Sequence, residues 1–179
     1  MQSDARWANR QDHEVIDMAV NGCTEVEVRS VEAGDFDLLL AWANNPLVRE
    51  NSLSPQPITQ AEHKRWFEET LSSSTRHQYI AMLGDQPVGQ IRFDLAGHAW
   101  EVGVSLAPTM RGIGLGTQII QAGLRRLKED EPEAQKVRAV IRPTNAASLR
   151  AFRRAGFVDA EVTKRATQPV LILERELVT

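Results

Sequence analysis

The sequence predicts one α/β domain in which strands and helices follow the order β-α-α-β-β-β-α-β-α-β-β. Three observations carry this prediction. Apolar and polar residues alternate in segments such as TEVEVRSV and HQYIAMLG, which is the period of half-buried strands. Between such segments the apolar residues recur at helical spacing, most regularly in the run that starts at Leu115. A chain of 179 residues is the usual size of one domain, and we assign it to residues 23–179, after a polar N-terminal extension at 1–22.

Turn and cap signals bound the elements of the first half of the chain. The helix after the first strand stops at Asn45-Pro46 and leads into a loop. Thr59 and Glu62 have the spacing of a capping box, which predicts the start of a second helix. Three consecutive strands follow, with hairpin turns at Gly84-Asp85 and at 96–98.

The second half of the chain contains two strand-to-helix units. A glycine loop leads into a helix that ends near Lys128. The strand at 136–143 then leads into a short helix from Asn145 to Ala155, and Gly156 stops that helix. Two further strands close the chain.

Composition excludes several classes of function. A net charge of -3 argues against a broad nucleic-acid-binding surface. Cys23 is the only cysteine and the four histidines lack metal-ligand spacing, so we expect no disulfide, no metal, and an organic cofactor. The sequence has no apolar run of the ~20 residues that a membrane helix needs and no signal-peptide core, so we expect a cytoplasmic protein.

Three glycines at alternate positions, Gly112, Gly114 and Gly116, lie between the fourth strand and a helix. No Lys follows the last glycine, which excludes a Walker A loop, and the spacing does not match the dinucleotide fingerprint. Two interpretations remain. One is a tight strand-to-helix turn. The other is an Arg-x-x-Gly-x-Gly loop from Arg111, whose main-chain N–H groups bind a pyrophosphate at the start of the helix.

A second motif extends from Asn145 to Phe157. The loop from Arg111 resembles the acetyl-CoA pyrophosphate motif of the GNAT superfamily of acyl-CoA N-acyltransferases. The sequence Asn145-x-x-Ser148-x-x-x-Phe152-x-x-x-Gly-Phe resembles the Asn-x-x-Ser/Ala-x-x-x-Tyr-x-x-x-Gly-Phe segment of the same superfamily. An ordinary glycine-capped helix explains the second motif alone, but not both motifs in this order.

The resemblance implies a single GNAT fold over roughly residues 25–179. That fold has a mixed, mostly antiparallel sheet of six to seven strands, splayed between strands 4 and 5 and flanked by about four helices. The resemblance also implies acetyl-CoA as co-substrate and direct attack of a primary amine on its thioester. Matching the motifs implies these coenzyme-binding residues: Val104, Leu106, Arg111, Gly112, Ile113, Gly114, Gly116, Thr117, Asn145, Ser148 and Phe152.

Direct attack requires a neutral amine, a polarised carbonyl and a proton for the departing thiolate. Many GNAT enzymes supply that proton from a tyrosine at the position of Phe152, which has none to give. The only tyrosine, Tyr79, lies on a strand distant in sequence. Glu101 is the first candidate base, because GNAT members often place a carboxylate near there. His63 is the second candidate. The alternative for Glu101 is a solvated carboxylate at the end of a strand, and the alternative for His63 is a packing role.

The patterns W-x-N-x-P-x-V-R at 42–49 and I-T-x-x-E-H-x-x-W at 58–66 resemble bacterial amino-sugar nucleotide N-acetyltransferases, such as those of the pseudaminic acid pathway. Less closely, they resemble ribosomal-protein N-terminal and aminoglycoside acetyltransferases. Tryptophan rings offer a surface for a sugar or base, and an arginine can pair with phosphate. The residues expected to contact the acceptor are Trp42, Asn44, Asn45, Arg49, His63 and Trp66.

We therefore expect acetyl transfer from acetyl-CoA to a primary amine, first of all on an amino-sugar nucleotide. The alternatives are a protein N-terminal acetyltransferase, an aminoglycoside acetyltransferase, and a coenzyme-binding module without turnover, which the missing tyrosine motivates. We expect a small-molecule partner and neither nucleic acid nor membrane. A homodimer is left open.

Overall fold

The computed structural model describes residues 25–52, 54–165 and 167–177, so the predicted extension at 1–22 lies outside the described residues. Seven strands form one sheet in the order β1-β2-β3-β4-β5-β7-β6. Neighbouring strands are antiparallel except β4 and β5, which run parallel, and this confirms the predicted fold class. The strands are β1 (Glu27–Ser30), β2 (Arg76–Leu83), β3 (Gln86–Ala96), β4 (Ala99–Leu106), β5 (Lys136–Ile141), β6 (Val158–Arg165) and β7 (Gln168–Glu176).

Five α-helices occur in the described ranges, one more than expected. The additional helix is α2, in a segment expected to be a loop. Asn45 caps it by accepting a hydrogen bond from the Leu47 N–H at 3.2 Å, and Pro46 takes a first-turn position where a missing N–H costs nothing. The helices are α1 (Phe36–Ala43), α2 (Pro46–Asn51), α3 (Gln60–Ser72), α4 (Leu115–Asp130) and α5 (Ala146–Arg154).

The capping box predicted before α3 is confirmed. The Thr59 hydroxyl accepts from the Glu62 N–H at 3.2 Å, and the Glu62 carboxylate accepts from the Thr59 N–H at 2.8 Å. These bonds satisfy two main-chain donors that a helix start would otherwise leave open.

The sheet separates two layers of helices. On β2, Arg76 donates to Thr70 of α3 at 3.2 Å, whereas Tyr79 donates to Asp130 of α4 at 2.7 Å. Residues at odd and even positions of a strand point to opposite faces, so α3 and α4 cover opposite faces. No helix among the described residues is long and apolar enough to cross a membrane.

The parallel pair of strands at the centre separates early. Trp100 to Val102 of β4 pair with Val137 to Ala139 of β5, and beyond this point β4 pairs with β3 alone. The sheet therefore opens into a wedge along Gly103 to Leu106. This confirms the expected splay between strands 4 and 5.

Gly89 allows β3, β4 and α4 to approach one another beside this wedge. A Cβ at Gly89 would lie 2.7 Å from the Ser105 carbonyl oxygen and 3.0 Å from Ile119 Cδ1. The first neighbour is main chain and cannot move without shifting β4, so a side chain here would push the strands apart.

We expect Gly89→Ala to lower the free energy of unfolding by about 1–3 kcal/mol, the usual cost of overpacking a core. The midpoint of urea unfolding at unchanged m-value measures it. Gly34→Ala is the matched control, because a Cβ at Gly34 meets nothing within 4 Å. Equal midpoints for the two variants would contradict the close approach.

Candidate active site

The wedge between β4 and β5 opens into a cleft of about 1040 Å³. We divide its lining into two parts. The glycine-loop half consists of the end of β4, the loop at 111–117 and α5 with its cap. The helix half consists of α2, α3 and the side chains of β2 and β3 that face them. The two halves meet along β4, so one continuous cleft can hold two reactants side by side.

Backbone conformation shapes the glycine-loop half. Gly112 and Gly114 have φ of +83° and +91°, in the left-handed region that favours glycine. Gly114 is the residue before α4, so the loop turns sharply and presents the first N–H groups of that helix. Such groups lack partners within the helix and lie at the positive end of its dipole. The loop can therefore bind an anion such as a pyrophosphate.

The structure brings the residues of the two sequence motifs together. Every predicted coenzyme residue except Ile113 lines the cleft. Ile113 instead packs against the hydrophobic core and anchors the loop. Asn145 caps α5 by accepting from the Ser148 N–H at 3.1 Å.

Two arginines hold α2 against the glycine-loop half. Arg111 donates to the Asn45 side-chain oxygen at 3.0 Å and, at 3.4 Å, to the Leu106 carbonyl oxygen. Arg142, after β5, donates to the carbonyl oxygens of Glu50 at 2.7 Å and Ser52 at 2.5 Å. The sequence analysis assigned Arg111 to the pyrophosphate, whereas its hydrogen bonds in the structure join the two halves of the cleft.

Neither Phe152 nor Tyr79 can protonate a thiolate. Phe152 is 3% exposed and packs edge-on against Phe157 with ring centroids 5.0 Å apart, so its role is packing. The Tyr79 hydroxyl is buried and donates to Asp130 on α4, and burial together with that carboxylate raises its pKa. Tyr79 also lies outside the described cleft lining.

His63 lies in the helix half, buried between aromatic rings of α1 and α3. Its ring centroid is 4.8 Å from that of Phe36 and 5.3 Å from that of Trp66. Its Nε2 lies 3.0 Å from the Phe36 carbonyl oxygen, which can only accept, so Nε2 carries a proton and the neutral ring leaves Nδ1 unprotonated. Burial lowers the pKa of His63, which keeps the ring neutral at pH 7.

Three predicted acceptor residues have structural roles instead. Trp42 is 7% exposed, belongs to the core cluster, and is absent from the described cleft lining. The Asn44 side chain donates to the Ile58 carbonyl oxygen and accepts from the Ile58 N–H, both at 2.8 Å. These two bonds hold the end of α1 against the loop before α3. Asn45 caps α2 and accepts from Arg111. The asparagines are thus committed to main-chain groups of this region.

The other predicted acceptor residues, Arg49, His63 and Trp66, line the helix half. The Trp66 ring carries the Arg76 guanidinium above it, 5.9 Å from the centroid. A cation in that position occupies one surface of the ring.

Glu101 lies on the same face of β4 as Gly103 and Ser105, as alternation predicts, because the β3–β4 register has no irregularity. Its carboxylate accepts two hydrogen bonds from Arg165 of β6, at 2.5 and 2.8 Å. Glu101 lies where β4 and β5 are still paired, outside the described cleft lining. Its role as base therefore stays a prediction.

Sequence reasoning missed a row of polar side chains across the sheet. Gln78 donates to Gln90 at 2.6 Å, and Gln90 donates to the Ser105 hydroxyl at 2.9 Å. All three line the cleft, as does Arg92. Polar residues at alternate positions of otherwise apolar strands were the available signal, since they mark a face that looks onto a polar site.

The fold and cleft define an acyl-coenzyme A transferase, and comparison with known proteins makes the class specific. The family model for the acetyltransferase (GNAT) domain matches residues 25–158, and the chain belongs to this family. It is an acetyl-CoA-dependent N-acetyltransferase.

Among curated proteins, the aminoglycoside N(6')-acetyltransferases type 1 of Klebsiella pneumoniae and Serratia marcescens are each 26% identical over 157 residues. The match covers 78% of this chain and 77% of each relative.

Solved structures share the fold. AAC(6')-Ib in complex with ribostamycin and coenzyme A is similar with a TM-score of 0.75 and 22% identity, over 85% of this chain and 93% of that one. Spermidine N-acetyltransferase from Vibrio cholerae, in complex with CoA and spermine, has a TM-score of 0.74 and 14% identity, over 85% and 95%.

Burial of neutral His63 makes stability depend on pH. The unfolded chain takes up a proton below about pH 6.5, which the buried ring resists. His63 therefore makes its full contribution to the free energy of unfolding above about pH 6.5. This contribution falls as the pH decreases from there towards the lower pKa that His63 has in the folded state. We expect the unfolding free energy of the wild type to drop more steeply between about pH 7.5 and 5.5 than that of His63→Phe.

Urea unfolding at a series of pH values measures this difference. His98→Gln is the control, because it removes a histidine that is exposed in a hairpin turn. Parallel curves for the wild type and His63→Phe would show that the ring is not held neutral.

Proposed function

We propose that this N-acetyltransferase acts on the primary amine of a small molecule bound in the helix half, while acetyl-CoA binds in the glycine-loop half. The observation that carries the proposal is the single cleft whose two differently built halves meet at the separated end of β4. A thioester held along β4 would face an amine held between α3 and the sheet.

The glycine-loop half fits acetyl-CoA, which supplies an acetyl thioester when bound. The loop and the start of α4 present N–H groups suited to a pyrophosphate. Arg150 and Arg154 of α5 line the same half and add positive charge for phosphate. In the described structure β4 forms no ladder with β5 beyond Val102, so main-chain groups of Gly103 to Ser105 on that side can bind the pantetheine arm and the thioester oxygen.

The reaction needs no side-chain acid to protonate the departing thiolate. The amine nitrogen bonds to the carbonyl carbon, the carbon–sulfur bond breaks, and the ammonium proton passes to water. An unperturbed thiol pKa of about 8.5 makes the thiolate an adequate leaving group near neutral pH, which is consistent with Phe152 in place of tyrosine.

The comparisons support an aminoglycoside as acceptor better than the amino-sugar nucleotide expected first. Both curated relatives are aminoglycoside acetyltransferases, and the solved relatives bind ribostamycin or spermine as small amines. The relatives named above do not include one described with a nucleotide-linked sugar. Aminoglycosides are therefore the first acceptors to assay.

Release of coenzyme A thiol from acetyl-CoA tests the proposal against a panel of kanamycin, spermidine, amino sugars, amino acids and an N-terminal peptide. We expect turnover with a small amine. Turnover with the peptide alone would replace the small-molecule acceptor with a protein N-terminus. Calorimetric binding of acetyl-CoA without thiol release for any amine would indicate a module without turnover.

We further propose Glu101 as the group that accepts the amine proton through water. Glu101→Gln then lowers kcat on the order of 10²-fold or more with little change in the KM for acetyl-CoA, because a general base contributes to the chemical step alone. Initial rates at saturating acetyl-CoA measure the effect.

Arg165→Gln is the matched control. It breaks the same ion pair but keeps the carboxylate, so it leaves kcat near the wild-type value. An equal loss in both variants would mean that the pair only fastens β6 to β4.

A further inference from the structure

Among its described lining residues, the helix half of the cleft has no acidic group free to receive a cation. Among the described lining residues Glu62 is the only acid, and it is committed to the capping box of α3. Asp94, on the same face of the sheet, lies 2.5 Å from Arg76 and 2.7 Å from Arg92. Glu101 is held by Arg165. Glu62, Asp94 and Glu101 are thus already bound or paired, and Asp37, whose charge acts on His63, lies outside the described cleft lining.

Arg49 of α2, by contrast, is a cation that has no carboxylate partner among the described residues. Its Nη1 donates to the carbonyl oxygens of Ser54 at 3.2 Å and Gln56 at 3.3 Å, and the described residues provide it with no salt bridge. Its Nε is buried and lacks a hydrogen-bond partner. Burial lowers the pKa of Arg49, which reflects the cost of keeping this charge out of water. Neutral oxygens compensate such a charge only in part, so an anionic ligand would complete the site.

Gln78 provides a second open position in the same cleft. It is 4% exposed, its Nε2 donates to Gln90, and its Oε1 is buried without a partner among the described residues. A buried acceptor without a partner is costly unless a ligand donates to it. An amine or hydroxyl of the acceptor can do so.

We propose, building on the proposed function, that the acceptor carries an anionic group, carboxylate or phosphate, in addition to its amine, and that Arg49 binds this group. The unpaired arginine attracts the anion, while the absence of an uncommitted carboxylate among the described residues of the helix half disfavours a polycation. The comparisons alone support an aminoglycoside, so under this proposal the preferred acceptor differs from those named for the curated relatives.

Matched acceptors test the proposal. Alanine is compared with alaninamide, glucosamine 6-phosphate with glucosamine, and kanamycin serves as the polycation. We expect kcat/KM about tenfold or more higher for the anionic member of at least one pair, and the pair that responds distinguishes carboxylate from phosphate. Equal or better use of both neutral members, or of kanamycin, would overturn the proposal.

Variants of Arg49 distinguish recognition of the acceptor's anionic group from the hydrogen bonds that hold the loop at Ser54 and Gln56. Arg49→Gln should reduce the ratio of kcat/KM between anionic and neutral acceptors towards one, with the KM for acetyl-CoA unchanged, and Arg49→Lys should restore part of it. Arg65→Gln, an exposed arginine of α3 outside the cleft lining, leaves the ratio as in the wild type. An equal loss for both members, or a changed KM for acetyl-CoA with an unchanged ratio, overturns the assignment.

Calorimetry distinguishes failure of this proposal from failure of the proposed transfer. Full-length protein saturated with coenzyme A is titrated with glucosamine 6-phosphate and alanine, and with their neutral counterparts. If transfer fails with every acceptor, no thiol is released from acetyl-CoA. In that case, an anionic compound that binds the wild type but not Arg49→Gln still supports the anion site. Binding that is the same in wild type and variant overturns it.

Discussion

The short parallel ladder between β4 and β5 is the constraint on which the rest of the molecule depends. Three residues of each strand pair, and then the strands separate. A sheet that stayed paired would satisfy its own main chain and leave no room for a ligand. The separation leaves polar groups of β4 open and creates a cleft between helices that cover opposite faces of the sheet. The glycine loop and α5 reach the cleft because each follows one of the two separating strands.

Arginines perform three different tasks around this cleft. Arg111 and Arg142 bond to neutral oxygens of the α2 segment and hold it across the opening. Arg150 and Arg154 lie on α5, where coenzyme phosphates are expected. Arg49 faces the helix half with no acidic partner in the described structure. The arginines of the cleft thus divide between holding α2, lining the coenzyme half and lining the acceptor half.

Local patterns predicted much of this accurately. The capping box before α3 and the splay between strands 4 and 5 are present as expected. The motif residues of the glycine loop and α5 gather in one cleft, apart from Ile113. These features depend on neighbours within a few residues, where spacing and side-chain chemistry decide the outcome.

The sequence by itself determined the family and, apart from helix α2, the order of helices and strands, because short motifs and local periodicity encode both. Only the tertiary structure decided which polar side chains remain available. Asn44, Asn45 and Trp42 look like acceptor contacts in the sequence but are committed to caps and core, whereas Gln78 and Arg92 come into the cleft from separate strands. A hydrogen bond or ion pair to a distant residue leaves no local pattern, so the charge of the acceptor site emerges only when the chain is folded.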